Sequence, residues 1–335
     1  MDFKVISGTI ISEYLKTHRT SVLEAVRAAY ISHERELTEN PTSHFLQFKN
    51  NPSDRIIALL ASINDERPMS GMKWIASYPG NLQKNIQRAS ATMILNDAST
   101  GYPLACLEAS QISSSRTAAS AAIAASLYKP EKKAKKAVVV GCGIIAREIL
   151  NYLKEDMWSI DSLILCDINS ESADKLKQAV SSKYSNISTS TDLDSCVSKS
   201  DLVIFATNAG TPYFDIVGAL EKNALVLHIS LRDISVESIL NAVNIVDDIE
   251  HCLKANTSPH LAEQKVANRD FIHQTLPHAL VNGAITRDKD DERPIIVSPF
   301  GMGILDLAVA RNIYEYAIEH DYAHSIPDFF SDISR

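Results

Sequence analysis

Residues 135–150, KKAVVVGCGIIAREIL, decide the fold, because they join a short apolar strand to a glycine turn and the start of a helix. Gly141, Gly143 and Ala146 stand in G-x-G-x-x-A spacing. In this motif the first glycine makes the tight turn, the second lets a pyrophosphate approach the backbone, and the small third residue packs helix on strand. The stretch therefore predicts a βαβ unit that binds a dinucleotide.

The choice of dinucleotide follows from the next strand, SLILCD, which ends at Asp167. An acid at this distance from the glycine motif binds the ribose 2′-hydroxyl and repels a 2′-phosphate, and no arginine follows it. We therefore expect NAD rather than NADP, with Ile144 and Ile145 at the phosphate-facing start of the helix. A tight turn without a cofactor is the alternative interpretation.

Short β-branched runs and helical patterns alternate from this motif onward, which is typical of a parallel sheet. Charged, turn-rich passages at 128–137 and 286–294 bound the alternating region. Residues 1–127 instead show an early helical pattern followed by several strands. After 295 come a strand, a glycine turn and a long amphipathic helix, which we expect to return to the first domain.

The predicted fold class is thus α/β, with a Rossmann-type parallel-sheet domain at 128–294 inserted in a discontinuous α+β domain formed by 1–127 and 295–335. A length of 335 residues with 45% hydrophobic composition suits two such domains. We found neither an internal repeat nor a low-complexity tract.

Composition also excludes several classes of protein. Lys and Arg total 33 against 41 Asp and Glu, a formal charge of −8, which disfavours nucleic-acid binding. The five scattered cysteines form no C-x-x-C pair, and the histidines lack metal-ligand spacing, so we expect no disulfide framework and no metal site. The charged N-terminus and the lack of a long apolar run favour a cytoplasmic protein with a small-molecule partner and no membrane partner.

The domain order, with GMKW at 71–74, EASQISSSRTAA at 108–119 and GMGILDLAVA at 301–310, resembles the ornithine cyclodeaminase/μ-crystallin family over nearly the whole chain. The branch that it resembles most oxidatively hydrolyses a glutamate conjugate to L-2,3-diaminopropionate, 2-oxoglutarate and NADH. That resemblance implies a homodimer built through the first domain. It also implies a pathway that makes siderophores or antibiotics, with a pyridoxal-phosphate-dependent synthase as pathway partner.

The resemblance also assigns residues. Lys73 and Arg116 would hold the substrate carboxylate, and Lys73 and Asp233 would serve in catalysis. Partly desolvated, Lys73 would help to activate water. Four further residues are expected beside the cofactor: Thr117, Thr207, Ser230 and Met302.

Three positions bear on the substrate. Ornithine-specific relatives carry a glutamate in the strand before the lysine motif, where this chain has Ala58, so a cationic side chain would lose its partner. Gln47 stands where the family often supplies an arginine. Arg55 and Arg88 add cations near the motifs, which suits a substrate with several carboxylates.

Each assignment has a structural alternative. Lys73 could extend its amine to water, Arg116 could lie exposed on a close-packed helix, Arg55 and Arg88 could form surface ion pairs, and Asp233 could begin a helix. The functional alternatives are an ornithine cyclodeaminase, an imine reductase or a simple amino-acid dehydrogenase. A crystallin-like protein that binds nucleotide without turnover is the non-enzymatic alternative.

Overall fold

A computed structural model describes residues 2–288 and 290–330. By contact the chain divides into unit 1, residues 1–116 with 302–335, and unit 2, residues 117–301. The domains expected from sequence are 1–127 with 295–335 and 128–294. Their limits differ from those of the units at both places where the chain passes from one unit to the other. Those ranges include Met1, Lys289 and residues 331–335, which lie outside the described part of the chain.

The elements up to the first crossing form helices and a strand meander. In order they are β1 (Phe3–Ile6), α1 (Gly8–Thr17), α2 (Arg19–Glu34), β2 (Thr38–Glu39), β3 (His44–Phe48), β4 (Asn51–Ile63), β5 (Met69–Ser77), a 3-10 helix (Pro79–Lys84), β6 (Ala89–Asp97), β7 (Pro103–Glu108) and α3 (Ser110–Tyr128). Helix α3 is continuous across Arg116 and Thr117, where the first segment of unit 1 ends and unit 2 begins.

Strands and helices then alternate, as the sequence predicts. They are β8 (Lys133–Val140), α4 (Ile144–Glu155), β9 (Ser159–Cys166), α5 (Ser170–Val180), β10 (Ile187–Ser190), α6 (Leu193–Val197), β11 (Leu202–Phe205), β12 (Leu225–His228), α7 (Val236–Leu240), β13 (Val243–Val246), α8 (Ile249–Cys252), α9 (Ser258–Val266), β14 (Ile272–Thr275), α10 (Leu276–Asn282) and β15 (Ile295–Ser298). The described chain ends with α11 (Gly303–Glu319) and β16 (His324–Ile326).

The sheet of unit 2 is parallel throughout its described strands, in the order β10-β9-β8-β11-β12-β15-β13-β14. Its central strands are buried along their whole length because helices cover both faces of such a sheet. The predicted Rossmann-type parallel sheet is therefore confirmed.

One strand lies elsewhere than expected. The strand after 294 was expected in the first domain, but β15 pairs with β12 and β13 inside the parallel sheet of unit 2. All four of its residues are buried. The charged passage before it is a loop rather than a domain boundary. A run of four apolar residues fits a strand of either sheet, so the sequence pattern does not say which sheet the strand joins.

Unit 1 is built on a mixed sheet in the order β16-β1-β7-β6-β5-β4-β2, with β3 also pairing with β4. Burial alternates along β6, where Ala91, Met93 and Leu95 point inward. Helix α11 lies over this inner face against β4 and β5. The outer face carries exposed apolar side chains, among them Leu60 and Trp74.

No helix among residues 2–288 and 290–330 combines the length and apolar character needed to cross a membrane.

Candidate active site

The glycine turn between β8 and α4 has the geometry that the motif requires. Gly141 has φ +88°, and a Cβ at this position would lie 2.7 Å from the carbonyl oxygen of Ala206. A Cβ on Gly143 would meet nothing within 4 Å, so the backbone there is open to a ligand. Ala146 is fully buried where α4 packs on the sheet. Ile144, which begins α4, is exposed, and Ile145 is half-buried.

Asp167 directly follows β9 and is tied to this turn. Its Oδ2 accepts a hydrogen bond of 2.7 Å from the backbone N–H of Cys142, and its Oδ1 accepts one from the N–H of Asn169. The next residue, Ile168, is 99% exposed. The carboxylate therefore lies beside the glycine turn with an apolar neighbour, and this arrangement fits the ribose and adenine of a dinucleotide.

Asp233 follows β12 in unit 2 and is completely buried. Its Oδ1 accepts hydrogen bonds from the hydroxyls of Thr207 and Tyr213, and its Oδ2 accepts one from the hydroxyl of Ser230. Two residues expected beside the cofactor, Thr207 and Ser230, are therefore held by this carboxylate. Its oxygens point into the unit rather than toward solvent.

His228 completes the cluster. The backbone N–H of Asp233 donates to His228 Nε2 at 3.2 Å, and His228 Nδ1 lies 3.2 Å from the hydroxyl of Ser298. Burial lowers the pKa of His228, although the hydrogen bond and charge of Asp233 act in the opposite direction. Burial works against ionisation of Asp233, but hydrogen bonds outweigh it and lower the pKa of the carboxyl group.

Lys73 lies in the middle of β5 on the inner face of the unit 1 sheet and is 1% exposed. Across the strands it faces Leu59 on β4 and Met93 on β6, which are both apolar. Burial lowers the pKa of its ammonium to about 8, although Asp306 opposes the shift. The alternative of an amine that reaches water is therefore excluded.

The charged partner of Lys73 comes from α11. Lys73 Nζ donates to Asp306 Oδ2 at 2.6 Å and to the hydroxyl of Ser113 at 3.0 Å. Arg116 Nε donates to the other oxygen, Asp306 Oδ1, at 3.2 Å. Arg116 is 8% exposed, so it is not the exposed helix arginine of the alternative interpretation. The two cations expected to hold one carboxylate lie on opposite oxygens of an internal carboxylate.

Asp306 was not predicted from the sequence, although it lies in GMGILDLAVA, one of the segments that carry the family resemblance. The usable signal was an acid inside GMGILDLAVA, a helical run with no other charge, because an acid on an apolar helix is seldom buried without a partner. Gly71 explains part of the lysine motif. A Cβ there would lie 2.5 Å from the carbonyl oxygen of Ile94 and 3.1 Å from Leu307 of α11. The glycine therefore lets α11 pack closely beside Lys73.

Arg55 and Arg88 lie near the end of the same inner face. Arg55 is opposite Ser77, and Arg88 donates to the Ser77 hydroxyl at 3.0 Å. Burial and the adjacent charge of Arg55 lower the pKa of Arg88. Arg55 Nε is buried without a hydrogen bond, and neither arginine pairs with an acid among the described residues. They are therefore not the surface ion pairs of the alternative interpretation.

The position of Ala58 corrects the substrate argument. Ala58 is opposite Trp74, so its side chain points to the outer face, away from Lys73. The inner face of β4 near Lys73 carries Ile57 and Leu59 instead. No acid of β4 therefore faces Lys73, but the reason is not the identity of residue 58.

Gln47 is opposite Arg55 on the neighbouring strand, so β4 supplies a cation beside the position where the family's arginine was expected.

The family follows from comparison with known proteins. The sequence model of the ornithine cyclodeaminase/mu-crystallin family matches residues 12–321. The chain belongs to this family. A Staphylococcus aureus member, N-((2S)-2-amino-2-carboxyethyl)-L-glutamate dehydrogenase, is 32% identical over 308 residues, which are 90% of this chain and 91% of the relative.

Two solved structures share the fold of this family member. Thermococcus litoralis Δ1-pyrroline-2-carboxylate reductase, in complex with NADH and L-proline, has a TM-score of 0.88 at 22% identity, covering 97% of this chain and all of that one. An archaeal alanine dehydrogenase dimer with bound NAD has a TM-score of 0.86 at 23% identity, covering 98% and 100%. The fold class expected from the sequence is therefore confirmed.

Two further residues were expected beside the cofactor. Thr117 is the first residue of unit 2, and Met302 is the first residue of the second segment of unit 1. Thr117 is half-buried on α3, and Met302 is fully buried directly before α11. Sequence reasoning missed Asp247, whose carboxylate accepts hydrogen bonds from the backbone N–H groups of Phe300 and Gly301. This buried acid fixes the turn at Phe300 and Gly301, which directly follows β15. No cluster of metal-binding side chains occurs among the described residues.

Proposed function

We propose that this protein is an NAD-dependent oxidoreductase that oxidatively hydrolyses N-(2-amino-2-carboxyethyl)-L-glutamate. The observation that carries the substrate assignment is the Arg55–Arg88 pair: two adjacent guanidinium groups without an acidic partner in the described chain, on the sheet face that also carries Lys73. A family member that binds a single carboxylate has no need of this second cationic site.

The cofactor assignment is supported by unit 2 alone. The open backbone at Gly143 and the N-terminus of α4 would hold the pyrophosphate, and Asp167 would accept a hydrogen bond from the ribose. Bound NAD supplies the acceptor for a hydride. Asp233 serves here as a positioning residue, because its buried carboxylate orients the hydroxyls of Thr207 and Ser230 and has no free face for substrate.

At the reacting end, Arg116 and Lys73 would bind the α-carboxylate of the glutamate portion. Asp306 engages Arg116 through Nε, the nitrogen nearest its stem, which leaves the outer fork of the guanidinium to face a second carboxylate. A lysine whose pKa is about 8 can exist as the amine near neutral pH. Lys73 is therefore suited to accept a proton from water during hydrolysis.

At the distal end, Arg55 and Arg88 would bind another carboxylate. Ser77 lies four residues along β5 from Lys73, about 13 Å at the usual rise of a strand. Long side chains shorten this gap, so the two cationic groups fit an elongated polycarboxylate. The conjugate has three carboxylates, and charge-assisted hydrogen bonds contribute roughly 1.5–3 kcal/mol each.

The overall reaction consumes the conjugate, NAD⁺ and water. The glutamate α-carbon loses its hydrogen as hydride, and the nitrogen lone pair forms a C=N bond. Water then adds to that carbon, and the carbon–nitrogen bond breaks as the nitrogen takes up a proton. The products are L-2,3-diaminopropionate, 2-oxoglutarate, NADH and one proton, so atoms and electrons balance.

A second candidate is an imine reductase, since Δ1-pyrroline-2-carboxylate reductases are relatives of this chain at 24% identity over 91% of its length. Its substrate has one carboxylate and would use only Lys73 and Arg116. Ornithine is disfavoured because, within residues 2–288 and 290–330, Asp306 is the one acid that pairs with Lys73, and it already binds two cations.

The deciding experiment incubates the full chain with NAD and the synthetic conjugate and follows products by mass spectrometry. We expect equimolar 2,3-diaminopropionate, 2-oxoglutarate and NADH. Reduction of cyclic imines without cleavage of the conjugate would favour the second candidate. Tight NADH binding without turnover of any amino acid or imine would favour the crystallin-like alternative.

A matched pair of variants tests the distal site. Arg88→Gln removes one of the unpaired cations, and we expect KM for the conjugate to rise about 10- to 100-fold. Arg67→Gln removes an exposed arginine of the same unit, which pairs with Glu315, and should leave KM unchanged. Equal KM values in the two variants would contradict the distal carboxylate site.

We also propose a homodimer formed through the outer face of the unit 1 sheet. Leu46, Leu60 and Trp74 share that face and are each more than 40% exposed. An alanine dehydrogenase of the same fold is described as a dimer. Light scattering should give twice the chain mass for the protein and a monomer for Trp74→Lys. A monomeric wild type would refute the assembly.

In the cell, a pyridoxal-phosphate-dependent synthase would supply the conjugate, and the product would enter siderophore or antibiotic synthesis. The five cysteines are free thiols, which suits the reducing cytoplasm.

A further inference from the structure

Asp306 lies in the first turn of α11 with its side chain fully buried. Burying a carboxylate costs several kcal/mol unless its oxygens find charged partners. Asp306 has one on each oxygen, Lys73 at 2.6 Å and Arg116 at 3.2 Å. In the proposed function, these same two residues bind the substrate carboxylate.

The surroundings of Lys73 contain few other polar groups. From β4 and β6 it faces Leu59 and Met93, which carry no charge. On α3, the hydroxyl of Ser113 accepts a hydrogen bond from the Lys73 amine, and Arg116 places a positive charge nearby. On α11, the carboxylate of Asp306 accepts another hydrogen bond from this amine.

We propose that Asp306 is a positioning residue that holds the amine of Lys73 against Arg116 and sets the protonation state in which Lys73 meets the substrate. The carboxylate fixes two nitrogens from opposite oxygens, so the cations stay close together before any substrate carboxylate arrives. This proposal deepens the proposed function and rests on it for the role of Lys73.

The direction of each influence agrees with this geometry. Burial lowers the pKa of Lys73, and the charge of Arg116 lowers it further, whereas the charge and hydrogen bond of Asp306 raise it. Asp306 is thus the one charged neighbour that favours the ammonium. Without it, the pKa of Lys73 would fall further below its usual range.

The direct test is an NMR titration of the full chain labelled with ¹³C at the lysine ε-carbons. The signal that disappears in Lys73→Met identifies Lys73. Asp306→Asn should lower its titration midpoint by about 1–3 pH units, the effect of removing one adjacent opposite charge. Asp306→Glu retains the charge and should restore the midpoint.

The chain offers a matched control on the same helix. Arg311 of α11 is 4% exposed and donates to both oxygens of Asp65 at 2.8 and 3.0 Å. Asp65→Asn breaks this ion pair without touching Lys73. It should leave the Lys73 midpoint unchanged, and an equal midpoint in Asp306→Asn would overturn the proposal.

Turnover separates this proposal from the proposed function. The acid limb of the kcat/KM profile should move to lower pH in Asp306→Asn and stay in place in Asp65→Asn. A shifted NMR midpoint in a protein that does not cleave the conjugate would reject the function and support the role of Asp306. If Asp306→Asn and Asp306→Ser both unfold where Asp65→Asn folds, Asp306 is a structural ion-pair member and the proposal fails.

Discussion

Asp306 in unit 1 and Asp233 in unit 2 are both buried carboxylates, but they are stabilised in different ways. Asp306 is bound by two cations, which leaves a net positive charge in a nearly dry environment when Lys73 is protonated. Asp233 is surrounded by hydroxyls and a neutral histidine, and its hydrogen bonds lower its pKa in spite of burial.

The difference predicts a reactive cluster around Lys73 and a supporting one around Asp233. A carboxylate whose oxygens are filled by neutral donors is stable as an anion and exchanges no proton near neutral pH. A lysine kept close to its titration point by burial can gain or lose a proton there. Burial alone therefore does not identify a catalytic group; the charge balance of the partners does.

The largest expected effect is that of Lys73→Met, which keeps the apolar stem and removes the amine. Turnover should fall by about 10²–10⁴-fold, the usual contribution of a positioned acid–base group. NAD affinity should not change, because the nucleotide motif belongs to unit 2. Steady-state kinetics and fluorescence titration with NADH measure the two quantities, and turnover within threefold of wild type would remove Lys73 from the mechanism.

The second effect concerns the supporting cluster. Asp233→Asn replaces one of the two acceptor oxygens by an NH2 group that can only donate, so at least one hydroxyl of the network loses its acceptor, which should lower the free energy of unfolding by about 1–3 kcal/mol. Urea denaturation measures the change. Asp215→Asn alters an exposed carboxylate of the same unit and is the control, with a smaller expected loss. Equal losses would show that the buried network gives no special stability.

The third effect is the pH dependence of stability in unit 1. The pKa of Lys73 is about 8 in the folded chain, against an ordinary lysine value of 10.5, so between these two pH values the unfolded chain binds the extra proton. The contribution of Lys73 to the free energy of unfolding is therefore lowest below pH 8. It rises with pH by up to about 1.4 kcal/mol per pH unit.

Denaturation of wild type and Lys73→Met across pH 7–10.5 isolates this contribution, since other groups cancel in the difference. The wild type should gain roughly 3 kcal/mol relative to the variant over that range. A difference that does not change with pH would mean that Lys73 titrates normally, and the contrast with Asp233 would fail.

Much of the fold was predictable because its signals are local. The glycine motif, the acid after the second strand and the alternation of short apolar runs with helices define the parallel sheet from sequence alone. The position of β15 was not predictable in the same way. Four consecutive apolar residues carry no information about which sheet they enter, and the partners of β15 lie far away in the chain.

The cluster in unit 1 was predictable in its two cations and not in the anion that joins them. The family motifs identified Lys73 and Arg116, but the carboxylate that joins them is 233 residues beyond Lys73. The side on which Ala58 points depends on strand register, where a shift of one residue reverses every side chain. Long-range contacts and register are thus the two features that single-sequence reasoning could not supply.

Asp167 and the exposed Ile168 have a consequence for how this protein can change. They stand in unit 2, whereas the cations assigned to substrate all stand in unit 1. Substitutions that adapt the chain to a phosphorylated ribose therefore involve a different set of positions from those that adapt it to a new amino acid. Natural selection and protein engineering can alter one preference while leaving the other intact.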